Sequence, residues 1–413
     1  MEVRPGYKQT EVGLLPEEWE MTPFAELFEF RNGVNADKAS YGQGVRFINV
    51  LEPITYSHIY GPEITGQVTL PEPVATSYAV RRGDVLFNRT SETQDEVGLA
   101  ATYLGTERVV FGGFVIRGRP INQSLDPIYS GYALRAPIIR SQIIPMGQGA
   151  IRANIGQQNL SLVVAPVPPL PEQRAIAAAL SDVDALLEGL TRLIAKKRDL
   201  KQAAMQQLLT GQTRLPSFSG EWEVKRVGEL AKIQRGASPR PIDSPVWFDE
   251  NSSIGWVRIS DVTCSGMFLY ETTQRLSPLG VKHSRPVATG SLIMSICATV
   301  GRPIITRIDV CIHDGFVVFD NLDADQLFVY YVLKWIEPDW TRHGQTGSQM
   351  NLNTGLINGK EIKLPPRDEQ TAIAAVLSDM DAELSALLAR RDKTRDLKQA
   401  MMQELLTGRI RLV

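Results

Sequence analysis

The residues best placed by type to do chemistry on a nucleic acid are Asp339, Glu361 and Lys363, which read as Pro338-Asp339 followed by Glu361-Ile362-Lys363. That order loosely matches a PD…ExK nuclease, where carboxylates hold a divalent cation that activates water. Little else in the chain suggests catalysis. The four histidines (His58, His283, His313, His343) form no pair at metal-ligand spacing. Gly359-Lys360 is followed by Glu rather than Ser or Thr and lacks the upstream glycine of a phosphate loop. No GxSxG, HExxH or GxGxxG stands anywhere, nor an Asn/Asp-Pro-Pro-aromatic element of an amino-methyltransferase. The chain reads as a protein that does not carry out a reaction alone.

Other residues suit binding. From Arg108 to Asn159 there are six arginines (Arg108, Arg117, Arg119, Arg135, Arg140, Arg152) against one acid, Asp126. From Thr272 to Ile308 stand Arg275, Lys282, Arg285, Arg302 and Arg307 with no acid. Local positive charge of this kind is an electrostatic footprint for a polyanion. Beside these clusters lie loops rich in groups that hydrogen-bond base edges. The first set is Asn88, Arg89, Thr90, Ser91 and Thr93 with Arg152, Asn154, Gln157, Gln158 and Asn159. The second is Ser295 and Thr299 with Gln345, Ser348, Gln349, Asn351 and Asn353. Arginine suits guanine and Asn or Gln suits adenine, whereas phosphate contacts supply position.

What must position these residues is a duplication. Glu172–Leu215 and Glu369–Leu412 are identical at 28 of 44 positions without a gap, so the two stretches are copies 197 residues apart. Fainter matches precede each copy. Glu18-Trp19-Glu20 answers Glu221-Trp222-Glu223, GDVLF at 83–87 answers GSLIM at 290–294, and GGFVI at 112–116 answers DGFVV at 314–318. The order is module, helix, module, helix. The nuclease triad does not share the repeat, because Glu361 and Lys363 fall on Val164 and Pro166 of the first copy. Short β-branched runs between Gly, Pro and Asn turns predict β-rich modules, each leaving through prolines (Ala165–Pro171, Lys363–Pro366) into its helix. Leu15-Pro16 resembles Leu215-Pro216, so the arrangement looks cyclic.

Each repeated helix carries a heptad seam, Ile176, Leu180, Val183, Leu187, Leu190 and Ile194 in the first, Ile373, Leu377, Met380, Leu384 and Leu387 in the second. The seams break at charged patches and are expected to resume at Leu200, Ala204, Leu208 and at Leu397, Met401, Leu405. A continuous helix over 172–210 spans roughly 58 Å. Two such helices pack most simply as an antiparallel pair with a pseudo-two-fold axis. The block Asp199, Lys201, Gln202 recurs as Asp396, Lys398, Gln399, which a two-helix seam does not require. A solvated face and a docking face for two copies of a partner are both open readings.

At 413 residues the chain suits two or three domains, and 44 basic against 46 acidic residues exclude a polycation. No run of eighteen apolar residues predicts a membrane span, and the N-terminal residues lack a signal-peptide core. Three cysteines (Cys264, Cys297, Cys311) confined to one half fit a reducing, cytoplasmic setting rather than a disulfide framework.

The paired motifs PLPEQRAIAAALSDVDALL…RDLKQAAMQQLLTG and PPRDEQTAIAAVLSDMDAEL…RDLKQAMMQELLTG resemble the two conserved helical regions of type I restriction-modification specificity (S) subunits. The EWE…EL…G and GDVLF segments resemble that family's target recognition domains, and the likeness spans essentially the whole chain. The resemblance implies an α+β protein with target recognition domains at 1–165 and 217–365. Central and C-terminal conserved helical regions would occupy 166–216 and 366–413, forming two long antiparallel coiled-coil helices. It further implies a non-catalytic reader of double-stranded DNA that binds a split, asymmetric target, the helices acting as a ruler between half-sites. Two modification (methyltransferase) subunits carrying S-adenosylmethionine, and restriction subunits using ATP and Mg, would supply the chemistry, with no cofactor on this chain. The alternatives are a coiled-coil adaptor that reads no DNA and the magnesium-dependent nuclease.

Overall fold

The computed structural model describes residues 5–11, 13–149, 152–342 and 352–412. They form two compact units, Met1–Thr191 with Arg390–Val413, and Arg192–Ala389. Two long helices, Leu170–Leu209 and Arg367–Leu405, each contribute their beginning to one unit and their end to the other. Prolines set both starts. Pro168 and Pro169 precede the first helix and Pro171 sits in its first turn, while Pro365 and Pro366 precede the second. At these positions the missing N–H is not needed.

Each unit holds one β-rich domain, and the two domains share a plan. In the first, a five-stranded sheet runs Phe28–Asn32, Val115–Pro120, Val85–Asn88, Ala100–Tyr103, His58–Ile59. A four-stranded sheet runs Gln67–Val68, Tyr41–Ile48, Val109–Phe111, Ala79–Val80. The second domain repeats both orders, with Lys232–Arg235, Phe316–Asp320, Leu292–Ser295, Pro303–Thr306, Phe268–Leu269 and then Gln274–Arg275, Gly255–Val257, Val310–Ile312, Arg285–Val287. Central strands such as Val85–Asn88 and Leu292–Ser295 are buried at every residue, which is why they read as continuous apolar runs. A two-stranded ribbon closes each domain beneath its helix, Glu20–Pro23 with Val164–Val167 and Glu223–Arg226 with Glu361–Leu364.

One sequence match is corrected by hydrogen bonding. The Gly33 N–H donates to Val115 O at 3.1 Å and the Gly236 N–H to Phe316 O at 2.9 Å. Val115 therefore answers Phe316, and Gly113 answers Asp314. The pairing of GGFVI with DGFVV is one residue out because aligned identities ignore which carbonyl closes the turn.

Within each unit, the start of one helix packs on the end of the other. In the first unit Ile176 and Leu180 join Leu405 and Leu406 in one buried cluster with Trp19 and Tyr129. In the second, Ile373 and Leu377 share a core with Met205, Leu208 and Leu209. Leu190 and Leu384 are buried as the heptads require, whereas Val183, Leu187, Met380 and Leu387 are half-buried. The expected resumption at Leu200 and Leu397 is wrong, since these are 47% and 55% exposed. The seam does not break at the charged patches. It steps through Lys197 and Lys201 in the first helix and through Arg391, Thr394 and Lys398 in the second, all at least half-buried. The ammonium of Lys197 meets Glu383 at 2.6 Å, and that of Lys398 meets Asp184 at 2.6 Å. Lysine stems cover the apolar seam while their charged ends find carboxylates.

The Lys398–Asp184 pair belongs to a set of ties duplicated between units. Buried Glu172 accepts from Trp19 Nε1 at 2.9 Å and from Arg411 Nε at 2.6 Å and Nη2 at 2.9 Å. Buried Glu369 accepts from Trp222 Nε1 at 3.2 Å and from both Nε and Nη2 of Arg214. Tyr132 donates to Asp184 at 2.8 Å, and its equivalent Tyr331 donates to Asp381 at 2.8 Å. Lys201 pairs with Asp381 as Lys398 does with Asp184. Gln173 accepts the Asp126 N–H at 2.8 Å, and Gln370 accepts that of Asp325 at 2.7 Å. Much of the repeated helix sequence is thus explained by seating a domain on the helices.

Candidate nucleic-acid interface

In the first domain the strand Val85–Asn88 delivers one predicted loop and the short strand Ala153–Asn154 delivers the other. They meet as a two-residue ribbon, Thr90 opposite Asn154 and Ser91 opposite Ala153. Thr90 Oγ1 donates to Asn154 Oδ1 at 2.6 Å, and Asn154 Nδ2 donates to Arg152 O at 3.0 Å. Ser91 is buried and donates to Glu96 at 2.6 Å, while Thr93 is exposed. Glu92, Glu96, Phe114 and Arg152 line an open cleft of about 300 Å³ beside them. Arg152 lies 3.8 Å from Glu92 and its side chain is 57% exposed. Gln157 opens the half-buried helix Gln157–Ser161.

Most of the arginine cluster is engaged elsewhere. Arg117 is 3% exposed, donates to Ala79 O at 3.3 Å, and burial lowers its pKa. Arg119 grips Asp84 through Nε and Nη2 at 2.9 and 2.7 Å. Arg135 donates to the carbonyls of Pro53, Ile54, Tyr56 and Ala100. Arg140 donates to Asp95 O at 2.8 Å, and burial brings its pKa down to about 10. Arg108 pairs with Glu72 at 2.7 Å. These groups hold loops together, so the footprint inferred from counting charges is corrected for this domain to two exposed members, Arg152 and the Glu72-paired Arg108. Replacing Arg152 with Ala is expected to reduce the slope of log affinity against log salt by about one while leaving stability within about 0.5 kcal/mol. A binding titration over a salt series checks the first, and an unchanged slope would remove Arg152 from the interface.

Four predicted base readers, Ser91 among them, are inside the protein. Asn88 and Ser295 are fully buried; Asn88 Nδ2 donates to Glu96 O at 3.0 Å and Ser295 Oγ to Thr299 O. With Arg117 they are structural in place, because a side chain on a central strand faces the core rather than a groove of DNA. Arg89 is half-buried, its N–H donating to Phe114 O at 2.8 Å and its Nη1 to Gly113 O at 3.3 Å.

In the second domain Lys282 is exposed at the end of Pro278–Lys282. Arg285 donates through Nε to Arg235 O at 2.6 Å and through Nη1 to Gln234. Half-buried Thr299 closes the Ser295–Arg302 turn, and Arg302 lines a groove of about 560 Å³ with Tyr330, Lys334 and Asp381. Gln345, Ser348, Gln349 and Asn351 lie outside the described residues. Sequence reasoning missed Arg235, Ser238, Arg240 and Asp314, which surround the turn between Val310–Ile312 and Phe316–Asp320. Their one sequence signal is Gly236, matched by Gly33, where an added Cβ would stand 2.0 and 1.9 Å from a turn carbonyl oxygen.

The nuclease triad is not assembled. Asp339 lies 3.9 Å from Lys360, Glu361 lies 3.8 Å from Arg226, and Lys363 donates to Thr210 O at 3.4 Å. Among the described residues no three His, Cys, Asp or Glu side chains could hold a metal, and no helix is long and apolar enough to cross a membrane. Of the repeated helix block, Asp199, Gln202, Asp396 and Gln399 are exposed, whereas Lys201 and Lys398 turn inward to their carboxylates. That corrects the expectation that all six present one outward face.

Comparison with known proteins agrees with this geometry. A family model described as type I restriction modification DNA specificity domain matches residues 16–196 and 219–394. A relative in Methanocaldococcus jannaschii, named "Putative type I restriction enzyme MjaX specificity subunit", is 26% identical, covering 98% of this chain and 97% of the relative. The MjaVIII type I restriction enzyme specificity subunit of the same organism is 24% identical over 81% of this chain and 80% of its own. The fold is similar to the S subunit of a type I restriction-modification system from M. genitalium, with TM-score 0.59, 15% identity and 98% of each chain covered. It is also similar to a chain of a type I R-M system solved for its complex assembly and conformational transition, with TM-score 0.61, 19% identity and 96% and 99% covered. Two family matches, each spanning one β-rich domain and most of the helix that follows it, account for nearly the whole sequence, and the chain belongs to the type I restriction-modification DNA specificity family.

Proposed function

We propose that the two domains of this sequence-specific DNA-recognition subunit read different halves of one split target. The observation that carries the reading is the twofold occurrence of one strand plan with different loop chemistry. Where the first domain carries Asn32 and Asn35 at the turn corner, the second carries Arg235 and Ser238. Different groups on a common frame prefer different base edges. Half-sites about one helical turn apart suit a reader built from a duplicated unit. The chain itself is non-catalytic on this reading. Methyl transfer from S-adenosylmethionine, and ATP- and Mg-dependent restriction where a restriction subunit is present, belong to partner subunits. The adaptor and nuclease readings find no support in the family match or in the placement of Asp339, Glu361 and Lys363.

Two modification subunits would dock on the exposed repeated helix faces, Asp199, Leu200 and Gln202 on one and Asp396, Leu397 and Gln399 on the other. Exposed leucines at equivalent positions of both helices support this, since solvent alone imposes no such repetition. Substituting Leu200→Glu and Leu397→Glu together is expected to weaken capture of the modification subunit at least tenfold with an unchanged circular-dichroism melt. Retained capture would place the docking face elsewhere. The reading as a whole is tested by methylome sequencing of cells expressing the modification subunit with and without this chain. A single split motif should be methylated when the chain is present. Identical methylation in both would overturn it.

A further inference from the structure

We infer that the guanidinium of Arg240, held by Asp314 at the turn corner of the second domain, reads a guanine edge in that domain's half-site. The inference rests on the DNA-reading role proposed above and names a site for it.

The corner is a fixed piece of backbone. Gly113 O in the first domain and Asp314 O in the second are equivalent carbonyls by the hydrogen bonds that close the two turns. Each accepts an arginine, but from a different strand. Arg89, just after Val85–Asn88, donates Nη1 to Gly113 O at 3.3 Å, and Arg235, ending Lys232–Arg235, donates Nε to Asp314 O at 2.6 Å. Unrelated strands thus send the same type of side chain to the same oxygen. Glycines bring the next loop hard against the turn: a Cβ on Gly33 would lie 1.9 Å from Gly112 O, and one on Gly236 would lie 2.0 Å from His313 O. Two residues further on, Asn35 crowds Gly113 and Ser238 Oγ donates to Asp314 Oδ1 at 2.7 Å.

On this frame the second domain adds a charged pair. Arg240 Nη2 donates to Asp314 Oδ2 at 3.1 Å. The Ser238 hydrogen bond, then Arg240, His313 and Arg235, hold the Asp314 carboxyl below its ordinary range against the opposing effect of burial. Side-chain exposures of 69% for Arg240 and 41% for Asp314 make the pair too wet to contribute much stability. What the contact does is orient the fork. Among the described residues the Arg240 side chain makes no further hydrogen bond, so the second N–H of Nη2 remains to pair in parallel with that of Nε or Nη1. Two parallel N–H donors match guanine O6 and N7. A phosphate is disfavoured, because Asp314 would repel it at this distance. The first domain has Gly113 at the place of Asp314, so it lacks this buttress and should not share the preference.

The test uses the full-length chain assembled with its modification subunits and a pool of random duplexes, selected for binding and sequenced. Arg240→Lys keeps the charge and the fold of an exposed loop but loses the fork. It is expected to reduce preference for one guanine in one half-site by about 10- to 100-fold, leaving the other half-site as in wild type. Asp314→Asn should weaken the same preference several-fold and no other. The inference is overturned if Arg240→Lys and Arg240→Ala keep every base preference, or if they lower affinity equally for all sequences, which marks a phosphate contact. A wild-type assembly that enriches no sequence would overturn the DNA-reading role itself, a distinct outcome.

Discussion

Glu172→Ala is expected to destabilise the first unit by about 3–5 kcal/mol, the usual cost of removing one member of a buried ion pair. The carboxylate is 1% exposed and holds three donors at once, Trp19 Nε1 and two nitrogens of Arg411, whose side chain is itself only 20% exposed. Its loss leaves a buried indole N–H without an acceptor and the Arg411 guanidinium with Glu18 alone, at 2.7 Å, and the indole cannot reach water without moving Trp19 out of its cluster with Ile176, Leu180 and Leu405. Hydrogen exchange on the full chain separates the units. Protection should fall in Leu170–Thr191 and in the last turns of the second helix, with the second domain unchanged. Glu369→Ala should do the same to the second unit through Arg214 and Trp222. Equal protection in variant and wild type would show that apolar packing alone closes the unit.

The second large effect concerns Arg135, which from sequence belongs to a cationic patch for DNA. Arg135→Met is expected to cost about 3 kcal/mol or more, because four carbonyls lose a charged donor and at least some stay buried. Burial already pulls the pKa of this guanidinium down, as befits a clamp rather than a surface contact. Denaturant unfolding should show an earlier transition for the first domain. At temperatures where the variant remains folded, the salt slope of DNA binding should match wild type, in contrast to Arg152→Ala. A reduced slope with unaltered stability would restore Arg135 to the interface.

These two cases show what the sequence could and could not reveal. Duplication announced the two helices, their seam and the two modules, because copies of a helix-forming run stand out against divergent loops. It also pointed to Trp19 and Trp222 and, as the first residues of the two copies, to Glu172 and Glu369, though not to the contact between them. Arg135 and Arg140 were illegible as clamps, since backbone carbonyls leave no trace in residue type. Leu200 and Leu397 were misplaced for a related reason: a search for apolar residues overlooks Lys201 and Lys398, whose stems fill seam positions. The reading corner around Arg240 and Asp314 was missed because its members lie 74 residues apart and sit outside the densest arginine runs.

The ties that close the units have a consequence for how such a gene can be cut. Four groups that the end of the second helical region offers to the first unit (Lys398, Leu405, Leu406, Arg411) recur at the end of the first as Lys201, Leu208, Leu209 and Arg214. A reading frame stopped after Pro216 would therefore encode a self-complementary half. Two copies of it could exchange helix ends, Arg214 of each reaching Glu172 of the other, and the product would be a true homodimer. Its recognition sequence would be an inverted repeat of a single half-site. Premature termination would then change the target from asymmetric to palindromic instead of destroying the reader.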